Sequence, residues 1–230
     1  MRMRFKPYAH DELMAADFHV HEPLIWGGKW HAQYARPEQP FVLELGCGKG
    51  GFISQLACAH PENNYLGIDI TDKVLILAKR KVEAAYAERG LPADNVKIAS
   101  LDIERLGNSF TPEDRVSRIY INFPDPWKKS RQYKRRLTYA GFLALYANVL
   151  PLGGEIWFKT DNDPLFEWSI EEIPQFGFEL SEVTRDLHAN GQRGVMTDYE
   201  AKFYAEGKNI NRCVATMRPW EEPEEEDKPE

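Results

Sequence analysis

Glu44, Asp69 and Asp102 each stand at or just beyond the end of a short apolar run, and a fourth carboxylate, Asp125, sits between two prolines. After the first of them the chain reads Leu45-Gly46-Cys47-Gly48-Lys49-Gly50-Gly51. Glycines at this density let a backbone turn sharply and come close to a ligand, because no Cβ intervenes. Gly46, Gly48 and Gly51 also satisfy a dinucleotide-binding spacing with Asp69 beyond them, so the glycines alone leave the ligand open.

Glu44 discriminates between the candidates. It lies in a strand otherwise made of Val and Leu, where a carboxylate needs a positive partner to offset its desolvation. A pyrophosphate cofactor such as NAD would be repelled there, whereas S-adenosylmethionine brings an ammonium and a sulfonium. A salt bridge to a neighbouring Lys or Arg is the plainer alternative. Asp69 is placed to accept both hydroxyls of a ribose. Asp102 either meets an adenine amino group or caps the turn at 103–106. Three acids after three successive strands favour the methyl donor.

Asn122-Phe123-Pro124-Asp125-Pro126-Trp127 closes a further strand, and its two prolines make a stiff loop that holds Asp125 and offers an aromatic face to a base. Lys128, Lys129, Arg131, Lys134, Arg135 and Arg136 follow, six cations in nine residues with no acid among them. Such a run binds phosphate through counterion release, while discrimination must come from contacts to an exposed base, on which Tyr133 is a candidate to stack. The net charge of −7 hides this segregation: residues 221–230 hold seven carboxylates and one lysine, a net −6, which leaves −1 for the other 220 residues. Local fields steer polyanions, and a global sum does not describe them.

The elements that must position these groups alternate. Strands are expected at 41–45, 64–69, 96–99, 118–122, 154–160 and 212–217, with helices from the glycine turn to about 59, at 72–89 and at 139–150. This alternation predicts an α/β fold, a doubly wound, mostly parallel sheet with helices on both faces. The chain of 230 residues, 43% hydrophobic and 12% aromatic, divides into an N-terminal extension (1–39), a main domain (40–218) and a disordered acidic tail (219–230). Trp26 and Trp30 in the extension either serve the site or anchor the core. Three widely spaced cysteines, no secretory signal and no apolar run of membrane length point to a cytoplasmic protein. No metal site is expected, His19 and His21 having no third ligand nearby in sequence, and no obligate protein partner is evident for a monomer or homodimer.

From residue 26 to about 203 the chain resembles the bacterial tRNA (guanine-N(7)-)-methyltransferases of the class I fold. The resemblance is carried most by Phe123-Pro124-Asp125-Pro126-Trp127-Lys128-Lys129 and its continuation to Leu137. The glycine turn, Lys159-Thr160-Asp161-Asn162 and Thr197-Asp198-Tyr199-Glu200-Ala201-Lys202-Phe203 support it. It implies a Rossmann-like, seven-stranded methyltransferase domain acting on a guanine in the tRNA variable loop. It further implies methyl-donor contacts from Glu44, Asp69, Asp102 and Asp125, with Asp125 as the active-site carboxylate. Lys129, Asp161, Thr197, Asp198, Tyr199 and Glu200 fall at the implied substrate site. Asp69 stands where the family often has Glu.

On this reading Lys129, Arg131, Lys134, Arg135 and Arg136 hold the tRNA backbone. Asp161 and Glu200 either read the guanine edge or brace those cations, and Asp125 either stabilises charge on the purine or orients the base. The rivals are an adenine amino-group methyltransferase, whose Asn/Asp-Pro-Pro-aromatic loop residues 122–127 loosely match, an NAD-dependent oxidoreductase, and a catalytically dead RNA-binding module.

Overall fold

The computed structural model describes residues 8–219. The acidic tail is expected over 219–230 and, from residue 220 on, lies outside the described residues, as does the basic start at 1–7. A helix, Tyr8–Met14 (α1), and a two-residue strand, His19–Val20 (β1), precede Phe41–Leu45 (β2), which is buried at every position. Burial on consecutive rather than alternate residues marks a strand covered on both faces. Asn64–Asp69 (β3) repeats the pattern, and Val96–Ser100 (β4) and Val116–Asn122 (β5) largely do so. Gly51–Ala59 (α2) and Asp72–Arg89 (α3) make the crossovers on one side, α3 ending where Gly90 turns left-handed at φ 63° and donates to the Ala87 carbonyl. Ala140–Val149 (α4) leads to Glu155–Thr160 (β6), then Asp163–Glu172 (α5), Phe178–Thr184 (β7), Asp198–Ala205 (α6) and Asn211–Met217 (β8).

The sheet order is β1-β4-β3-β2-β5-β6-β8-β7, parallel except for β8, which runs antiparallel to both neighbours. From β2 the sheet winds outward, first through β3 and β4 and then through β5 and β6, so the order reverses between β2 and β5, and a crevice opens at the carboxyl ends there. Alternate residues of β2 face opposite layers. Phe41, Leu43 and Leu45 join Ile119, Leu143 and Phe166 in one core, and Val42 joins Ile53, Leu75 and Tyr120 in the other. Glu44 therefore points toward the α2 layer.

The doubly wound, mostly parallel sheet is as expected, but it has eight strands rather than the seven the resemblance implies, because β1 of the N-terminal segment adds to its edge. The sequence reading locates six of the eight strands, missing β1 and, at the opposite edge, β7. The latter buries only Phe178 fully, with its register broken between Ser181 and Thr184, so it carries little apolar pattern. Residues 10–39 are also more ordered than an irregular extension. Here β1 pairs with β4, Glu12 bridges Arg80 of α3 at 2.7 Å, and the fully buried Trp30 stacks on Phe110 with centroids 5.1 Å apart. The indole N–H donates to the Ser109 carbonyl at 2.7 Å, and Asp114 holds the surrounding backbone by accepting the main-chain N–H groups of Gly28, Trp30 and Thr111 at 2.9, 3.2 and 2.9 Å. Trp30 is thus a core anchor, while Trp26 is partly buried and packs against the same core. The three cysteines are free and buried.

Candidate active site at the carboxyl edge of the sheet

The turn after β2 runs through three left-handed glycines, Gly46, Gly48 and Gly50. A Cβ at Gly50 would meet Ala78 Cα at 2.6 Å, whereas one at Gly46 would meet nothing within 4 Å. The first of these sets how closely α3 approaches, and the second faces open space in the crevice. The Gly48 N–H donates to Asp69 Oδ2 at 3.0 Å, so the turn itself orients the acid at the end of β3. Burial raises the Asp69 carboxyl above its ordinary range, opposed by the N–H donors of Gly48 and Thr71. Asp102 accepts the Glu104 N–H at 3.0 Å and caps the 3-10 turn Ile103–Asn108, as its plainer reading foresaw; its other oxygen has no such bond among the described residues.

Glu44 is 4% exposed, and no lysine or arginine bridges it among the described residues. Its Oε1 accepts from Asn122 Nδ2 at 3.0 Å, while Oε2 and Asn122 Oδ1 are buried without a hydrogen-bond partner. Burial pushes the Glu44 carboxyl up to about 8, against the pull of Asn122 and the more distant Lys159. Two orphaned acceptors at the switch point suit a cation that brings several N–H donors, and the ammonium of S-adenosylmethionine is such a group. The residues fit that cofactor.

The loop after β5 is held under strain. Phe123 (φ 52°) and Trp127 (φ 41°) adopt left-handed backbone, which costs a non-glycine residue about 1–3 kcal/mol each, and they flank Pro124-Asp125-Pro126. Three contacts offset that cost. The Phe123 N–H donates to the Lys159 carbonyl at 2.9 Å, Arg136 Nε donates to the Pro126 carbonyl at 3.1 Å, and the Arg135 guanidinium lies 4.0 Å over the Trp127 ring. Asp125 is exposed at the apex.

The basic run folds as the 3-10 helix Ser130–Arg135 and presents Lys128, Lys129, Arg131 and Lys134 to solvent, with no ion pair among the described residues. Arg135 lies near Glu104 at 3.8 Å. Arg136 corrects the sequence reading. It is only 4% exposed, and its guanidinium sits 3.6 Å over the Tyr133 ring and 4.7 Å over Trp168. That arginine braces the loop from within instead of meeting RNA, and it covers one face of the partly exposed Tyr133 ring.

A second correction concerns the implied substrate segment. Thr197 and Glu200 form the capping box of α6, and Glu200 has no exposed surface. Its carboxylate braces a cation, though Lys159 rather than a member of the basic run. Asp161, half-buried at the β6 tip, pairs with Lys208. Asp198 pairs with Lys81 at 2.6 Å against Gly51. Of residues 197–200, Asp198 and Tyr199 are exposed; Tyr199, at 66%, has its ring centroid 6.4 Å from that of Phe123. The sequence reading assigns no role to Asn122, Lys159 or His188. A lysine ending the apolar strand Ile-Trp-Phe-Lys is the one signal that a buried acid must lie opposite it.

Among the described residues no group of three or more His, Cys, Asp or Glu is placed to hold a metal ion, and no helix is long and apolar enough to cross a membrane.

A family model described as "Putative methyltransferase" matches residues 38–213. The tRNA (guanine-N(7)-)-methyltransferase of Clostridium perfringens (strain SM101 / Type A) is 45% identical over 216 residues, covering 94% of this chain and 99% of that protein. Among solved structures, the 16S rRNA methyltransferase KamB aligns at TM-score 0.60 and 16% identity, over 94% of this chain and 96% of its own. A variant 16S rRNA (adenine(1408)-N(1))-methyltransferase from Catenulisporales acidiphilia, solved with cosubstrate SAM, aligns at TM-score 0.54 and 14% identity, over 87% and 93%. At such identities the structural likenesses carry the fold, and the sequence likenesses carry the family.

Proposed function

The chain belongs to the tRNA (guanine-N(7)-)-methyltransferase family, and from that premise we propose that its sheet edge moves a methyl group from S-adenosylmethionine to N(7) of a guanine in the tRNA variable loop. S-adenosylmethionine, when bound, supplies the methyl group on a positively charged sulfur. Glu44 and Asn122 hold its ammonium through their unpartnered oxygens, Asp69 takes the ribose hydroxyls and Asp102 the adenine edge. Guanine N(7) carries an in-plane lone pair and no proton, so no general base is required. The chain's task is alignment, together with a carboxylate near the purine as positive charge passes to it. Asp125, on its strained loop, is that carboxylate, and Tyr199 and Phe123 offer an aromatic surface beside it.

The observation that carries the reading is the shared edge: orphaned acceptors at β2 and β5, a fixed Asp125 loop, and unpaired cations directly after it. We take 40–218 as the catalytic unit, buttressed by 8–39, working in the bacterial cytoplasm where its substrate resides. An adenine amino-group reaction is disfavoured because Phe123 and Asp125 interrupt the Asn/Asp-Pro-Pro-aromatic loop it would use. Unmodified tRNA incubated with labelled donor, digested to nucleosides and mapped by mass spectrometry should yield 7-methylguanosine in the variable loop. A methyl group on an adenine amine would overturn the assignment.

Lys129, Arg131 and Lys134, together with Lys128 and Arg135, are assigned to the tRNA backbone. Replacing Lys129, Arg131 and Lys134 by Gln should raise the Michaelis constant for tRNA about tenfold or more and lower its log–log salt slope by about one unit per charge removed. An unchanged slope would place the RNA path elsewhere.

A further inference from the structure

Glu200 gathers four hydrogen bonds from three donor groups although it is fully buried. Lys159 Nζ donates to Oε2 at 2.9 Å and to Oε1 at 3.1 Å, His188 Nε2 donates to Oε1 at 3.0 Å, and the Thr197 N–H donates to Oε2 at 3.1 Å. The donors come from different elements: the tip of β6, the loop between β7 and α6, and the α6 cap. His188 Nδ1 accepts the Arg193 N–H at 3.2 Å, which places the ring proton on Nε2, and the ring is edge-on to Tyr204 with centroids 5.0 Å apart.

The segment held by this cluster touches both halves of the site. Val195 packs against the core that contains Cys47 and Phe52, beside the cofactor turn, and its carbonyl lies 3.5 Å from Lys159 Nζ. Asp198 packs on Gly51 at the start of α2 and pairs with Lys81 of α3. Tyr199 and Phe203 flank Phe123 of the reaction loop at 6.4 and 6.0 Å. A cavity of about 490 Å³ lies along the preceding loop, lined by residues that include Glu182, Asp186, Asn190 and Arg193, and within the loop Leu187 and His188 are buried. Its other ties include the Leu187 N–H to the Ile210 carbonyl at 2.9 Å, the Arg193–Glu182 pair at 2.8 Å and the exposed Arg185–Glu167 pair at 2.7 Å.

We infer that His188 and Lys159 are positioning residues for methyl transfer: through their joint hold on Glu200 they fix segment 195–203 between the glycine turn and the Asp125 loop. Glu200 then acts by holding this segment rather than by reading guanine. The inference rests on the methyltransferase reading for its kinetic consequence but not for its mechanical one.

The test compares His188→Leu with His188→Gln, whose amide keeps a donor toward Glu200. On unmodified tRNA, His188→Leu should lower kcat about tenfold or more, as small misplacements of reacting groups do, with KM for tRNA moving less, and His188→Gln should recover to within about threefold of wild type. Trypsin should cleave after Arg193 about fivefold faster in His188→Leu and near the wild-type rate in His188→Gln. Lys159→Met leaves a buried carboxylate without its countercharge and risks unfolding. The double variant Lys159→Met/Glu200→Gln removes both charges together, and it should fold with turnover lowered by about the same tenfold factor. Wild-type kcat in His188→Leu, unchanged cleavage after Arg193, or failure of Gln to rescue would each overturn the inference. A wild-type protein that binds S-adenosylhomocysteine but methylates no tRNA would instead overturn the methyltransferase reading and leave the proteolysis result standing.

Discussion

Alanine at Asp125 should lower single-turnover methylation of tRNA by about 10² to 10³, with affinity for S-adenosylhomocysteine changed by no more than about threefold. The expectation follows from where the charge goes. The reaction moves a positive charge onto the guanine ring with no proton to remove, so a carboxylate beside the purine is stabilising in the transition state far more than in the ground state. In the free protein Asp125 is exposed at the loop apex, and water screens it. Docked tRNA would exclude that water and strengthen the interaction. The left-handed residues on either side and the Arg136 grip on Pro126 keep the carboxylate from drifting. Asp125→Asn separates its two possible tasks. If charge matters, Asn should lose nearly as much as Ala. If Asp125 orients the base by accepting from it, Asn retains one acceptor and should lose about tenfold less. Wild-type turnover in Asp125→Ala would remove this residue from the reaction centre.

The parts of the site legible in the sequence are those whose signal is local. The Phe41–Leu45 strand, the glycine turn and the acids at 44, 69 and 102 announce themselves because a charged residue closing an apolar strand has few other uses. The Pro-Asp-Pro loop is likewise a local constraint, and its residues take the strained conformations that two prolines help to enforce. What the sequence could not sort is direction. Six cations in a row look alike, yet Arg136 turns inward to Tyr133 and Trp168 while Lys134 stays in solvent. That outcome depends on α5, which carries Trp168 and lies about thirty residues further along the chain. Glu200 is misread for a similar reason. Its Thr-x-x-Glu spacing is a capping-box pattern and points inward, but the burial of its carboxylate depends on Lys159 and His188, 41 and 12 residues away. Strand β7 hides because an exposed edge needs no apolar alternation.

Glu44 should make donor affinity rise with pH. With its carboxyl raised to about 8, it carries a proton in the ligand-free protein at neutral pH, while in the unfolded chain it ionises near its ordinary 4.5. The folded state therefore holds the extra proton between those values, and stability falls as pH rises through that window, then levels off above about 8. The slope is about 1.4 kcal/mol per pH unit, close to 5 kcal/mol across the full interval. An ammonium against Oε2 and Asn122 Oδ1 favours the ionised carboxylate, so binding should expel the proton. Affinity for S-adenosylmethionine should then climb by up to about tenfold per pH unit until about pH 8. Calorimetric titration at pH 7 in buffers of different ionisation enthalpy should register close to one proton released per site. Burial moves Asp69 in the same direction, which makes Glu44→Gln the necessary control. That variant should release no proton from this position, bind the donor about a hundredfold more weakly at pH 8, and lose the fall in stability of the ligand-free protein between about pH 4.5 and 8. No proton exchange in the wild type, or a Gln variant that binds equally well, would mean that the buried carboxyl at the β2 tip serves the fold and not the methyl donor.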